Sequence, residues 1–184
     1  MPDAGPGCVT ERLYLRRFAA SDLDLLDRLQ GDPEVMRYLG GAKTRDETAA
    51  FMQERILEYY DRFPGLGIWA TLERAGDACV GFHLLNNIRG ESHIQVGYCL
   101  FRQYWGRGYA TEMSRALLRY GFADLRLPQI VAITDPPNTA SQAVLLKCGL
   151  HRKGERSFAA YANGAPMAWF ERDGAGWLAE HMPG

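Results

Sequence analysis

Apolar residues recur along the chain with two different spacings, and the switches between them outline its elements. In TERLYLRRF, Leu13 and Leu15 fall on one side and Tyr14 and Arg16 on the other, the alternation of a half-buried strand. SDLDLLDRLQG spaces its leucines for one face of a helix, with Ser21 and Asp24 as a capping box at its start and Gly31 as its stop. Asp32 and Pro33 fit the cap and first turn of a second helical stretch, PEVMRYL, ended by Gly40 and Gly41. Thr44 and Glu47 repeat the capping-box spacing before a helix predicted to run to Phe63, with Phe51, Ile56, Leu57 and Tyr60 on its inner stripe. Pro64 and Gly65 close it.

From Gly67 the period falls to two. Gly67 to Arg74 and Cys79 to Leu85, joined by AGD, read as a hairpin, and NNIRGE leads to a third strand, His93 to Leu100. A helix is predicted from Gly108 to Phe122, followed by the short apolar run QIVAIT as a buried strand, so this strand–helix–strand order implies a parallel crossover. Asp135, Pro136 and Pro137 break that strand. Thr139 to Cys148 then reads as a helix ended by Gly149, and SFAAYANGAPMAWFER as a closing hairpin turned at Asn163 and Gly164. The predicted fold class is α+β, a mixed central sheet of about seven strands with flanking helices. No linker or composition shift divides residues 1–184, so one domain is expected, with residues 1–9 flexible.

Composition narrows the function classes. A chain of 184 residues, 47% hydrophobic and 23% charged, is large enough for a complete active site in one globular unit. A net charge of −1 without any Lys/Arg block argues against nucleic acid or a membrane surface as partner. No apolar run approaches the ~18 residues of a membrane span, and MPDAGPG lacks the pattern of a signal peptide, so a cytoplasmic location is expected. Cys8, Cys79, Cys99 and Cys148 are too widely spaced for a CxxC pair or a Cys/His cluster, which predicts small hydrophobes rather than disulfides or a metal site.

The candidate chemistry lies in FRQYWGRGYATE, residues 101–112, where two glycines stand between a strand and a helix. A glycine turn there leaves backbone N–H groups unpartnered at the positive end of the helix dipole, an arrangement suited to phosphate. A P-loop needs Gly-Lys-Ser/Thr where Tyr109 and Ala110 follow Gly108, and a dinucleotide fingerprint needs a small residue where Thr111 stands. Neither motif fits, and two glycines before a helix are by themselves compatible with an ordinary tight turn.

The wider context resembles the GNAT superfamily of acyl-CoA-dependent N-acetyltransferases. Gln103, Gly106 and Gly108 match the superfamily's loop, and YWGRGYATE, TERLYLR, VGYCL and NTASQAVLLKCGL look like the Rim-type branch of ribosomal-protein N-terminal acetyltransferases. The resemblance implies acetyl-CoA as co-substrate and no metal, with the pyrophosphate on backbone N–H groups between Gln103 and Ala110, a stretch that includes Trp105, Arg107 and Tyr109. It also implies that strands four and five, His93 to Leu100 and Gln129 to Thr134, splay apart to admit the pantetheine arm beside Tyr98, Cys99 and Leu100. Gly97 would let that arm approach, or mark a bulge; Asn138 would contact it, or cap its helix, or both.

Direct transfer from a thioester to an amine needs a neutral amine, an oxyanion donor and a proton for the thiolate. The resemblance implies a backbone N–H near Cys99 or Leu100 for the oxyanion. Where many relatives carry a catalytic tyrosine this chain has Leu145, which moves attention to Ser141, as proton donor or as a helix-start serine bonded to the backbone. Where many relatives carry a basic glutamate it has Gln95, which takes no proton; His93, two residues earlier, is the alternative base, and both it and His83 also fit ordinary strand positions, with His83 expected across the hairpin from His93. A His83/His93 metal pair lacks a third ligand. The implied activity is N-acetyl transfer to a primary amine, a protein N-terminus or a small molecule such as an aminoglycoside or polyamine. The other reading is a non-catalytic acyl-CoA-binding module. The chain is expected to act as a monomer or homodimer, its acceptor groove framed by Asp32 to Gly41, Trp69 and the Asn163 hairpin.

Overall fold

The computed structural model describes residues 4–182. Ala4–Val9 (β1) pairs antiparallel with Leu13–Arg17 (β2), so residues 4–9 are a strand and not the flexible segment expected; residues 1–3 of that expectation lie outside the described residues. Gly5 explains why a Gly/Pro-rich stretch can pair here, since a Cβ on it would sit 2.7 Å from the Leu15 carbonyl oxygen. On β2, Leu13 and Leu15 are buried as the alternation predicts.

The first helix, α1 (Leu23–Gln30), follows a 3₁₀ turn at Ala20–Asp22. Its start is organised by Asp22 rather than Ser21: the Asp22 carboxylate accepts from the Ala19 N–H at 2.8 Å and forks onto Arg16 at 2.7 and 2.9 Å. Asp24 instead pairs with Arg45. Residues 32–41 form turns, not a helix; Asp32 Oδ1 accepts from the Glu34 N–H at 2.9 Å, and Gly40 and Gly41 (φ +90° and +85°) end the segment before a helix propagates. The Thr44/Glu47 capping box does form, starting α2 (Arg45–Met52), which continues through a π-helical turn at Gln53–Leu57 into α3 (Glu58–Arg62). That turn inserts a residue into the helical repeat, so the buried side chains are Met52, Ile56, Tyr59 and Tyr60, with Phe51 and Leu57 left at the margin.

The strands β3 (Gly67–Glu73), β4 (Cys79–Asn87) and β5 (Ile94–Leu100) form an antiparallel meander, and α4 (Tyr109–Arg119), prolonged by a π turn, crosses to β6 (Gln129–Thr134), parallel to β5. After α5 (Thr139–Lys147), β7 (His151–Ser157) and β8 (Pro166–Asp173) form the closing hairpin, whose link turns at Asn163 and Gly164 (φ +52° and +80°). Among the described residues the sheet has eight strands in the order β1-β2-β3-β4-β5-β6-β8-β7. The expected first strand of the hairpin lies too far along the chain. HRKGERS forms it instead, polar on both faces because β7 is an exposed edge. The last element, α6 (Gly174–His181), is capped by Asp173, whose Oδ1 accepts from the Gly176 N–H at 2.6 Å.

Candidate functional site

At the mouth of the β5–β6 gap, the chain leaves β5 through a 3₁₀ turn (Arg102–Tyr104) and enters α4 through Gly106 and Gly108, at φ +73° and +81°. Such angles suit glycine, and no heavy atom lies within 4 Å of a Cβ built on Gly106. No side chain caps α4, and its first backbone bond runs from the Glu112 N–H to the Gly108 carbonyl, so the N–H groups ahead of Glu112 have no partner within the helix. An open loop with free amides at the positive end of an eleven-residue helix fits a diphosphate. Gln103, Trp105 and Arg107 are exposed around it, with the Arg107 guanidinium over the Tyr104 ring and Trp105 Nε1 donating to the Leu100 carbonyl at 2.8 Å. The Tyr109 side chain is buried behind the loop, its ring stacked on Tyr104 with centroids 6.2 Å apart and its hydroxyl donating to Glu73.

The loop is braced from behind by Thr10, Arg12 and Glu112. Arg12 donates through Nη1 to the Arg107 carbonyl at 2.9 Å and through Nε to Glu112 Oε2 at 2.7 Å, and Thr10 Oγ1 donates to Glu112 Oε1 at 2.6 Å. Burial alone would raise the Glu112 carboxyl, but these bonds outweigh it and hold the group below its ordinary range. Arg12 and Glu112 lie in TERLYLR and YATE, and what the sequence does not show is that they meet across about a hundred residues.

The two parallel strands touch at one position, Gln95 opposite Val131, and part beyond it. In the β4–β5 ladder, the Phe101 N–H donates to the Val80 carbonyl and the Ile88 N–H to the His93 carbonyl. By the alternation of antiparallel pairing, residues 93, 95, 97, 99 and 101 turn their main-chain groups to β4, and residues 96, 98 and 100 turn theirs to the opening. This favours Leu100 and Tyr98 over Cys99, whose amide belongs to the ladder and whose thiol is pushed up to about 12 by burial, with Asp32 adding to the shift. Gly97 marks no bulge, since the register runs unbroken from Ile94 to Leu100; a Cβ there would press on the Leu84 side chain at 3.2 Å.

Gln95 is buried at the vertex, its Nε2 donating to Asn86 Oδ1 at 3.3 Å. His93 lies one step further out, its ring edge-on to Trp169 at 5.2 Å and Nδ1 3.6 Å from the Glu91 carboxylate. Strand rise puts it roughly 16 Å along β5 from Tyr98, away from the opening. His83 is not across from it. The register sets His83 opposite Tyr98, and the side chain is fully buried, Nδ1 at 2.7 Å from Thr71 Oγ1 and Nε2 toward the Ala110 main chain without a well-formed bond. Among the described residues no group of three or more His, Cys, Asp or Glu side chains could hold a metal ion.

Burial lowers the His83 pKa to about 3, so the ring is neutral at physiological pH and acts as neither base nor charge partner. Its unfolded value near 6.5 is higher, so the unfolded chain binds the extra proton, and the stability this neutrality gives is complete above that value and lost as pH falls toward the folded one. Between pH 7 and pH 5 the unfolding free energy should drop by about 2 kcal/mol from this group. Urea denaturation of the parent and of His83→Gln at both pH values measures it; the variant should lose that much less, and equal losses would contradict the burial argument.

On the far side of the gap, Asn138 Oδ1 accepts from the Ser141 N–H at 3.1 Å, so the cap at the start of α5 forms. Ser141 is half-buried and close enough to Tyr98 to oppose in part the rise that burial gives the Tyr98 hydroxyl. Leu145 is buried in the core. Beside the loop, Asp32 and Glu34 face Arg102, Gln103 and Trp105 across an open cleft of about 650 Å³. Trp69, expected to frame the acceptor groove, is buried beneath the sheet surface instead.

The sheet thus parts at one bridge, with an open glycine loop at its mouth and the hydroxyl-bearing start of α5 on the far side. The chain belongs to the GNAT acetyltransferases: the family described as "Acetyltransferase (GNAT) domain" matches residues 12–151. It is 30% identical over 146 residues to the uncharacterized N-acetyltransferase YnaD of Bacillus subtilis, covering 79% of this chain and 82% of that one. Among solved structures, RimL, a ribosomal L7/L12 alpha-N-protein acetyltransferase in complex with coenzyme A, superposes with a TM-score of 0.74 at 20% identity, covering 90% of this chain and 96% of RimL. Spermidine N-acetyltransferase from Vibrio cholerae, in complex with CoA and spermine, gives 0.72 at 16% identity, with 90% and 98% covered. The chain is thus an enzyme, an N-acetyltransferase by family, and no helix among the described residues is long and apolar enough to cross a membrane.

Proposed function

We propose that this chain is a cytoplasmic, single-domain enzyme that transfers the acetyl group of acetyl-CoA directly to a primary amine, with the α-amine of a protein N-terminus as its acceptor. The observation that carries the reading is the single β5–β6 bridge at Gln95, beyond which the main chain of Tyr98 and the Leu100 N–H face the opening and can pair with an extended ligand running up from the glycine loop, the Leu100 carbonyl being taken by Trp105 Nε1. The Leu100 N–H is the oxyanion donor of this scheme, Ser141 the group that meets the departing sulfur, and Gln95 a neutral residue at the vertex. The RimL likeness and the Rim-type motifs support the N-terminal acceptor. A polyamine is the second reading, favoured by the Asp32 and Glu34 carboxylates on the cleft and by the likeness to a spermidine acetyltransferase. Turnover on peptides with different first residues, set against polyamines and aminoglycosides, tests the choice; peptide turnover far below polyamine turnover would reverse it.

With Gln95 at the vertex and His93 outside it, the amine sheds its proton to solvent. The pH–rate profile of kcat/KM should therefore climb toward the pKa of the acceptor, about 8 for an α-amine and above about 10 for a polyamine. His93→Ala should superimpose on the parent, and Gln95→Glu should gain at neutral pH. A limb lost in His93→Ala would make His93 the base.

A further inference from the structure

A loop built on Gly106 and Gly108 is free to turn its peptide planes, because neither glycine packs against the protein: no heavy atom lies within 4 Å of a Cβ built on Gly106, and only Arg12 Nη2 lies near that of Gly108. Two hydrogen bonds limit that freedom. Trp105 Nε1 ties the start of the loop to the Leu100 carbonyl at 2.8 Å, and Arg12 Nη1 ties its middle to the Arg107 carbonyl at 2.9 Å. In a planar trans peptide the C=O and the N–H point opposite ways, so an Arg107 carbonyl turned back to Arg12 turns the Gly108 N–H away from it. Arg12 is itself fixed: its Nε donates to Glu112 Oε2 at 2.7 Å, its main-chain N–H donates to Glu112 Oε1 at 3.0 Å, and its guanidinium lies 4.6 Å from the centre of the Tyr109 ring. With the Arg12 side chain 44% exposed, this ion pair adds little to the stability of the fold, so its precise geometry is better explained by what it orients.

We propose that Arg12 is a positioning residue for the diphosphate of the acyl donor: it fixes the Arg107–Gly108 peptide with its N–H toward the ligand, so that the loop meets the phosphates already ordered. A loop held in this way does not lose the freedom of two glycines on binding, a loss that would otherwise weaken affinity. The role is one of shape rather than charge. The Glu112 carboxylate, 2.7 Å from Arg12 Nε, offsets the guanidinium, so the pair presents little net charge to an anion. A lysine here would keep the positive charge, but its single nitrogen lacks the planar fork that lets arginine hold Glu112 and the Arg107 carbonyl together. The role is also confined to one part of the donor. The pantetheine arm of the proposed complex runs along β5, and among the described residues no hydrogen bond of Arg12 reaches that strand.

The inference rests on the acetyltransferase reading, and its test separates the two by comparing acetyl-CoA with S-acetylpantetheine, which carries the same thioester and arm without the diphosphate. Arg12→Met and Arg12→Lys should each raise the KM for acetyl-CoA and the Kd of coenzyme A about 10- to 100-fold, with kcat within about threefold of the parent. With S-acetylpantetheine as donor, kcat/KM of both variants should lie within about threefold of the parent's. Arg12→Lys keeps the charge and an aliphatic stem over Tyr109, so it carries the test if Arg12→Met folds poorly. An acetyl-CoA KM in Arg12→Met equal to the parent's would make the brace idle, full recovery in Arg12→Lys would make the effect one of charge, and equal losses on both donors would make it a general disturbance of the fold. Each of these overturns the proposal while leaving the enzyme reading intact. A parent that binds no coenzyme A overturns both.

Discussion

Gly108→Val should abolish the thermal stabilisation of the protein by coenzyme A. At φ +81° a β-branched residue is a backbone outlier, and its methyl groups would stand over the amides that face the ligand. The built Cβ meets only Arg12 Nη2, at 3.5 Å, an ordinary contact, so the fold should survive with a cost of about 1–2 kcal/mol, or roughly 2–8 °C in Tm. Parent protein at coenzyme A concentrations near 100 Kd gains about 2.7 kcal/mol, and the variant should gain nothing measurable. Gly106→Val should behave alike, since no protein atom lies within 4 Å of its Cβ and only a ligand would meet it. A shift retained in both variants would mean that the phosphates bind elsewhere.

Ser141→Ala should cut kcat by about 10- to 1000-fold while leaving coenzyme A affinity nearly unchanged. The substitution keeps the N–H that Asn138 accepts, and alanine suits a first helical turn, so α5 should stay capped. Only the hydroxyl is lost, the group that the proposed reaction sets at the departing sulfur. Fluorescence titration with coenzyme A beside steady-state kinetics separates the effects. An unchanged kcat would confine Ser141 to packing at the helix start.

The parts of the fold that could be read from the sequence are those encoded locally. The Thr44/Glu47 box, the AGD hairpin and the glycine entry to α4 each depend on a few adjacent residues, and each formed as read, whereas Asn163 and Gly164 turn within a longer link between β7 and β8 and not between the strands expected. The parts that were hidden depend on partners distant in the chain. Asp22 displaces Ser21 because Arg16 on β2 reaches it; β7 is polar on both faces because it lies at an edge; and β1 pairs because Gly5 admits the β2 backbone. The site divides in the same way. Gln95, Asn138 and Ser141 were visible as positions, whereas the choice of Leu100 over Cys99 required the strand register, and the same register separates His83 from His93.

The central claim, direct acetyl transfer to an amine, is tested most directly by counting products. Parent protein is mixed with acetyl-CoA and its best acceptor, and free thiol is followed spectrophotometrically while the acceptor is analysed by mass spectrometry. One thiol should appear for each acetyl group gained by the amine, thiol release should stop when the amine is withheld, and Gly108→Val should give neither product. Thiol release that continues without any amine, or coenzyme A binding with no acetylated product from any acceptor class, would contradict the account.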